Sequence, residues 1–321
     1  MALGARATVH SLKREGRCDI LDAHFGYPDG YAASLLGRWL GVPFTVTFRG
    51  TEPRHAADPK LAPRLRDAVR SAQRVFAVSG SLASLAVELG APESRTVVVG
   101  NGVDVEKFAP MDRAAARHAL GLPQAAKVLV TVGGLVERKG FHRVIDLVPE
   151  LAARFPDLHY LVVGGASPEG DWSERLRAQV ARLGLQSRVH FLGALPPERL
   201  KVPLSAADVF VLATSNEGWA NVLLEAMACG LPVVTTDVGG NAEVVSGPAL
   251  GAIVPFGDRA ALGQAIADAL VRQWDRAALR AHAARHAWGD RAAVLAAAFR
   301  AAAAEGRGGA EPVAASQQPV S

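Results

Sequence analysis

The most chemically loaded stretch of the chain is Thr214-Ser215-Asn216-Glu217-Gly218-Trp219-Ala220-Asn221-Val222-Leu223-Leu224-Glu225-Ala226-Met227-Ala228-Cys229-Gly230. The apolar run at 209–212 reads as a strand. Glu217 therefore falls in a loop at a sheet's carboxyl edge, where open α/β sheets bind ligands. Glu225 follows one to two turns into the next helix. Two carboxylates flanking a helix N-terminus suit a hydroxyl-rich anion: the carboxylates accept from sugar and ribose hydroxyls. The free N–H groups around Asn221, Val222 and Leu223 would receive a diphosphate. The bland alternative has Glu217 serving a turn and Glu225 on a solvated helix face.

A second stretch, Val130-Thr131-Val132-Gly133-Gly134-Leu135-Val136-Glu137-Arg138-Lys139-Gly140, reads as strand, glycine turn and helix start. Gly133 and Gly134 let backbone N–H groups approach an anion, the helix N-terminus adds positive dipole, and Lys139 adds a full charge. The string matches neither GxxxxGK[ST] nor GxGxxG, which disfavours an ATPase or a nicotinamide enzyme. Such turns also occur merely to pack a helix on a sheet.

Positioning these residues requires parallel strands alternating with helices. In the first third, apolar runs at 20–23, 44–48, 75–78 and 96–99 alternate with amphipathic segments at 29–40, 61–72 and 81–89. Asn101-Gly102-Val103-Asp104 is turn chemistry and marks the domain junction. After a linking helix at 113–120, strands at 127–132, 159–163, 189–192, 209–212, 233–236 and 252–254 enclose helices at 141–155, 172–183, 197–205, 221–229 and 241–245. The expected organisation is a small first domain, 1–107, a complete doubly wound domain, 108–290, a C-terminal helix, 291–304, and a disordered tail, 305–321. The first domain is expected to lack its first strands, because only 18 residues precede its first recognisable one.

The chain has 321 residues, half of them hydrophobic and 21% charged, a globular profile of about two domains. Its longest apolar runs, 128–132 and 209–213, fall far short of the roughly 20 residues of a membrane span. The first 15 residues lack the apolar core and cleavage site of a secretory signal, so a cytoplasmic location is expected. Two cysteines, Cys18 and Cys229, exclude a disulfide framework or a Cys-rich zinc site. The net charge is +4, and Arg predominates among basic residues that are scattered rather than clustered, so no nucleic-acid partner is expected. Residues 1–107 carry most of the excess, which suits anionic lipid, a phosphorylated acceptor or an ordinary mixed surface. His282 and His286, four apart on a helix, have metal-ligand spacing but neither an HExxH pattern nor a third ligand.

The pair Glu217 and Glu225, in the string running from Glu217-Gly218-Trp219 to Gly230-Leu231-Pro232-Val233-Val234, resembles the EX7E motif of the family 4 retaining glycosyltransferases. Asn101-Gly102-Val103-Asp104 with Phe108, Lys139-Gly140, Val163-Gly164-Gly165 and Val238-Gly239-Gly240-Asn241-Ala242-Glu243 extend the similarity over nearly the whole chain. The resemblance implies the GT-B fold of two facing Rossmann-like domains and a nucleoside-diphosphate sugar donor bound by the second. It implies that Lys139 holds the diphosphate, Glu225 the ribose hydroxyls and Glu217 the transferred sugar. Backbone near Asn221, Val222 and Leu223 would cap the phosphates, and the strand end at Leu192 would read the base. Gly133, Gly134, Arg138 and Gly165 complete the expected donor site.

Two departures from the family pattern stand out. Gly134 occupies the place of an Arg that serves as a second diphosphate cation, with Arg138 a candidate substitute from another backbone position. Arg49 stands where the family commonly has a His approaching the sugar, which reads as a phosphate or acidic-sugar contact or as a surface Arg. His24 is an acceptor-side candidate. No two Asp residues lie two apart, so the DxD metal motif is absent; no metal or other cofactor is expected, and Lys139 with helix dipoles must neutralise the leaving group. The expected reaction is sugar transfer with retained configuration to a lipid-linked or polysaccharide acceptor, in envelope or exopolysaccharide assembly, with peripheral contact to the inner face of the plasma membrane. The alternatives are a non-catalytic nucleotide-sugar-binding module and a GT-B sugar-nucleotide epimerase, the latter a poorer fit to the EX7E string.

Overall fold

The structure is a computed structural model that describes residues 1–308; the sequence-based tail at 309–321 lies outside the described residues. The chain forms two compact units, one of Met1–Val99 joined by the residues from Ala292 onward, the other of Gly100–Arg291.

The first unit holds a parallel sheet of β1 (Leu21–His24), β2 (Phe44–Phe48), β3 (Arg74–Ala77) and β4 (Thr96–Val98), in that spatial order. Every residue of β2 is buried, as a parallel strand covered on both faces requires. Helices Tyr31–Leu40, Ala62–Ser71 and Gly80–Glu88 make the crossovers. Two helices were not anticipated, Ala2–Arg14 and Glu52–Ala57. Glu52 begins the second of these and is fully buried, its carboxylate accepting from the backbone N–H of Gly26, Arg49 and Gly50. Three such bonds are what a buried carboxylate needs.

The last helix, Trp288–Gly308, corrects the sequence reading: Glu305 to Gly308 are helical rather than the start of a tail. From Ala292 on this helix belongs to the first unit. Phe299 meets Phe76 edge-on at 5.6 Å, and Arg74 donates to both carboxylate oxygens of Glu305.

The second unit holds six parallel strands: β5 (Lys127–Val132), β6 (Leu158–Val163), β7 (Val189–Gly193), β8 (Val209–Leu212), β9 (Val233–Thr236) and β10 (Gly251–Val254). Their spatial order is β10-β9-β8-β5-β6-β7, so the winding direction reverses between β5 and β8. That reversal is the topological switch point of a doubly wound sheet, and ligands bind in the crevice at its carboxyl edge.

Strict alternation along the strands fills both faces. Val128, Val130, Leu161, Val163, Phe210 and Leu212 face a core that includes Leu223, Leu224 and Leu279. Leu129, Tyr160, Val162, Val209 and Val211 face another built with Phe141, Ile145, Val148 and Ile266. Each such fully buried aliphatic side chain contributes about 1.5–3 kcal/mol. The sheet is thereby a rigid platform for the loops at its edge.

Candidate functional site

Adjacent strands β5 and β8, paired at Leu129↔Val209 and Val130↔Phe210, deliver two loops side by side. The loop after β5 makes a single 3-10 turn, Glu137–Lys139, and passes through Gly140 into helix Phe141–Arg154. The loop after β8 leads into helix Asn221–Ala228. Ser215 N–H donates to Arg138 O at 2.9 Å, and Arg143 Nη1 to Ala213 O at 3.0 Å. Gly140 has φ +76, and a Cβ there would lie 1.9 Å from Ala213 O, so only glycine permits this approach. A third loop, after β9, completes the frame: Gly239 has φ +53, and a Cβ there would lie 1.6 Å from Glu217 O. Gly240 N–H donates to Gly218 O at 3.2 Å.

Glu217 is thus pinned by backbone on both sides. Its side chain is 8% exposed. Oε1 accepts from Lys139 Nζ at 2.6 Å, Arg138 Nη1 at 3.1 Å and Thr214 Oγ1 at 3.1 Å. These partners make burial of the charge tolerable. They all converge on one oxygen, and Oε2 has no protein partner among the described residues, so it is available to a ligand hydroxyl. Lys139 commits only one of its three ammonium N–H groups to Glu217.

Glu225 lies on the fifth position of helix Asn221–Ala228, partly buried, its carboxylate making no hydrogen bond or ion pair to protein among the described residues. Burial pushes its carboxyl up to about 7, against the opposing pull of Lys107 and Lys139. The helix has no side-chain N-cap. The N–H groups of Asn221 and Val222 stay available for an anion. Asn221 Oδ1 accepts from Asn101 Nδ2 at 2.9 Å, whereas the Leu223 side chain is fully buried and its N–H donates to Ala220 O at 3.0 Å, so Leu223 does not offer the phosphate contact expected of it.

The remaining expected residues divide between the two units. Gly165 O accepts from Leu135 N–H at 2.8 Å, tying the turn at Gly133 and Gly134 to the loop after β6. Leu192 sits at the end of β7, two strands from the switch point, partly buried against the core. His24 and Arg49 lie in the first unit and meet each other: Arg49 Nε donates to His24 Nδ1 at 2.8 Å, and His24 Nε2 lies 3.1 Å from Asp22 Oδ2.

His282 is buried with Nε2 3.0 Å from Val244 O, so it is a core residue. Among the described residues no cluster of three or more His, Cys, Asp or Glu side chains could hold a metal ion, and no helix is long and apolar enough to cross a membrane.

Sequence reasoning missed Thr214, Lys107, Asn101 and Glu169. Glu169 binds Arg138 side-on, Nε to Oε2 at 2.9 Å and Nη2 to Oε1 at 2.6 Å. Ser167-Pro168-Glu169-Gly170 is a legible turn signature, but no local pattern says which guanidinium its tip meets.

Comparison with known proteins matches both halves of the chain. Residues 112–287 match the family model for glycosyl transferases group 1, and residues 1–107 that for glycosyltransferase family 4. A D-inositol 3-phosphate glycosyltransferase of Corynebacterium urealyticum is 37% identical over 218 residues, 65% of this chain and 51% of that protein. D-inositol 3-phosphate glycosyltransferase 2 of Catenulispora acidiphila is 32% identical over 308 residues, 90% of this chain and 72% of that protein. The chain thus spans about half the length of the first relative and about seven-tenths of the second. Among solved structures, Anabaena HepE in complex with UDP superposes with a TM-score of 0.79 at 24% identity, covering 94% of this chain and 82% of that one, a likeness of fold. With both halves of the sequence matched and the EX7E pair seated at the switch point, the chain belongs to the glycosyl transferases group 1, family 4, of GT-B architecture.

Proposed function

We propose that this protein is a retaining glycosyltransferase that moves a sugar from a nucleoside diphosphate to an acceptor hydroxyl. The observation that carries this reading is the convergence at one switch point of Lys139, an unsatisfied oxygen of Glu217, the unpartnered Glu225 carboxylate and an uncapped helix N-terminus. In this reading Lys139 and the N–H groups of Asn221 and Val222 hold the diphosphate, Glu225 the ribose, and Glu217 Oε2 a sugar hydroxyl. Transfer forms the bond from the acceptor oxygen to the anomeric carbon on the face from which the phosphate oxygen leaves. The acceptor proton passes to that oxygen. Lys139 and the helix dipole stabilise the charge as it develops. The cationic and dipolar groups present make a metal-independent mechanism our reading.

A lipid-linked or polysaccharide envelope acceptor, reached at a membrane surface, is the first acceptor reading. A phosphorylated polyol is the second: the relatives are named for inositol 3-phosphate, and Arg49 offers a cation on the first unit. The UDP held by HepE favours a uridine donor for the assay. Glu217→Ala should lower turnover by about 10²–10³-fold and weaken a sugar nucleotide by about tenfold or more, while UDP affinity stays within a few-fold. Lys139→Ala should weaken donor affinity itself. Steady-state turnover with separate UDP titrations of each variant would show it; equal loss of UDP binding in both would sink this division of roles.

A further inference from the structure

Arg138 does not fit the role of a freely available phosphate cation. Four of its five N–H donors are engaged by protein: Nε and one of Nη2 by Glu169, both of Nη1 by Asn216 O and Glu217 Oε1. The Glu169 pair is the first cause of Arg138's raised proton affinity. Such a side-on fork fixes the guanidinium plane as well as its charge.

Glu169 is presented by a braced turn. Ser167 and Gly170 exchange two backbone hydrogen bonds of 2.9 Å, with Pro168 and Glu169 between them, and Glu169 N–H donates to Ser167 Oγ at 3.2 Å. Both ends of this loop are stapled to the turn after β5: Leu135 N–H donates to Gly165 O at 2.8 Å, and Trp172 N–H to Leu135 O at 2.6 Å. The turn fits there because residue 134 has no side chain. A Cβ on Gly134 would lie 2.9 Å from Ser167 Cβ. The missing Arg at 134 and the presence of Arg138 are therefore one arrangement: the space beside the phosphate turn is filled by Ser167, and the turn's tip carboxylate holds Arg138 against Glu217.

We propose that Glu169 is a positioning residue that acts through Arg138 to orient Glu217 toward the donor's sugar, and that Arg138 serves the sugar end of the site instead of the diphosphate. This rests on the donor-site reading above. It makes a separable prediction, because UDP probes the diphosphate and ribose contacts alone while a UDP-sugar adds the contact to Glu217.

The test is calorimetric titration of the full chain and of Glu169→Ala and Glu169→Gln with UDP and with UDP-glucose, UDP-N-acetylglucosamine and GDP-mannose, after thermal unfolding has shown that the variants fold. For whichever sugar nucleotide the wild type binds, Glu169→Ala should weaken it by about tenfold while UDP affinity changes less than twofold. Glu169→Gln, whose amide oxygen still accepts one bond from Arg138, should recover part of the loss. Equal weakening of UDP and the sugar nucleotide, or no change in either, overturns the proposal while leaving the donor site standing. A wild type that binds neither UDP nor any sugar nucleotide overturns both.

Discussion

At the scale of single residues, Glu225 gives the clearest handle, because an unpartnered, partly buried carboxyl titrates where assays are run. Burial raises its pKa to about 7 in the free protein. In the proposed site ribose hydroxyls would donate to the carboxylate, so donor binding would select the deprotonated form and release a proton. Affinity for UDP-glucose, whose diphosphate does not titrate here, should rise up to about tenfold per pH unit below 7 and level off above. Glu225→Gln should abolish the slope, as titrations at pH 5.5 to 8 would show; a slope retained in the variant would assign it to another group. The folding linkage has its own sign. The folded pKa lies above that of an unfolded glutamate, so this group favours the folded state at low pH. That contribution declines as pH rises from the unfolded value toward about 7.

At the scale of elements, the site depends on two loops being locked at glycines that no side chain can replace. Gly140→Ala would force a Cβ against Ala213 O from a left-handed backbone and should destabilise the second unit by at least about 2 kcal/mol. Urea unfolding with and without UDP would measure it; a loss under about 0.5 kcal/mol would show that the two loops are not locked there. The elements themselves were largely legible. The strands of the second sheet fall mostly on runs of Val, Ile, Leu and Phe, and burial on both faces of a parallel sheet demands such runs; β1, with only Ala23 buried, is the faintest signal. Helix Ala2–Arg14 escaped notice because Ala2 and Val9 are its only buried residues, too few to mark a face. Helix Glu52–Ala57 escaped because it is short and is organised by the Glu52 carboxylate reaching to Gly26, a contact no local window contains.

At the scale of the whole molecule, sequence order tells which strands exist but not how they lie side by side. The reversal between β5 and β8 emerges only when strand pairing is known, and it is what turns Lys139 and Glu217, 78 residues apart, into a 2.6 Å ion pair. The return of the chain to its first unit through Phe299 and Glu305 was equally hidden, since Ala-rich helix carries no signal of its partner. The family motif supplied the candidate donor-site residues without their geometry; the structure adds that Glu217 is held through one oxygen and that Arg138 is occupied.

The central claim is that this switch point is a nucleoside-diphosphate site with Lys139 as its principal cation. The most direct measurement is calorimetric titration of the wild-type chain and of Lys139→Ala with UDP, GDP and ADP. One of the three should bind the wild type saturably at one site, with affinity at least tenfold weaker in the variant, about 1.4 kcal/mol or more. Binding of none, or equal binding to both proteins, would contradict the account.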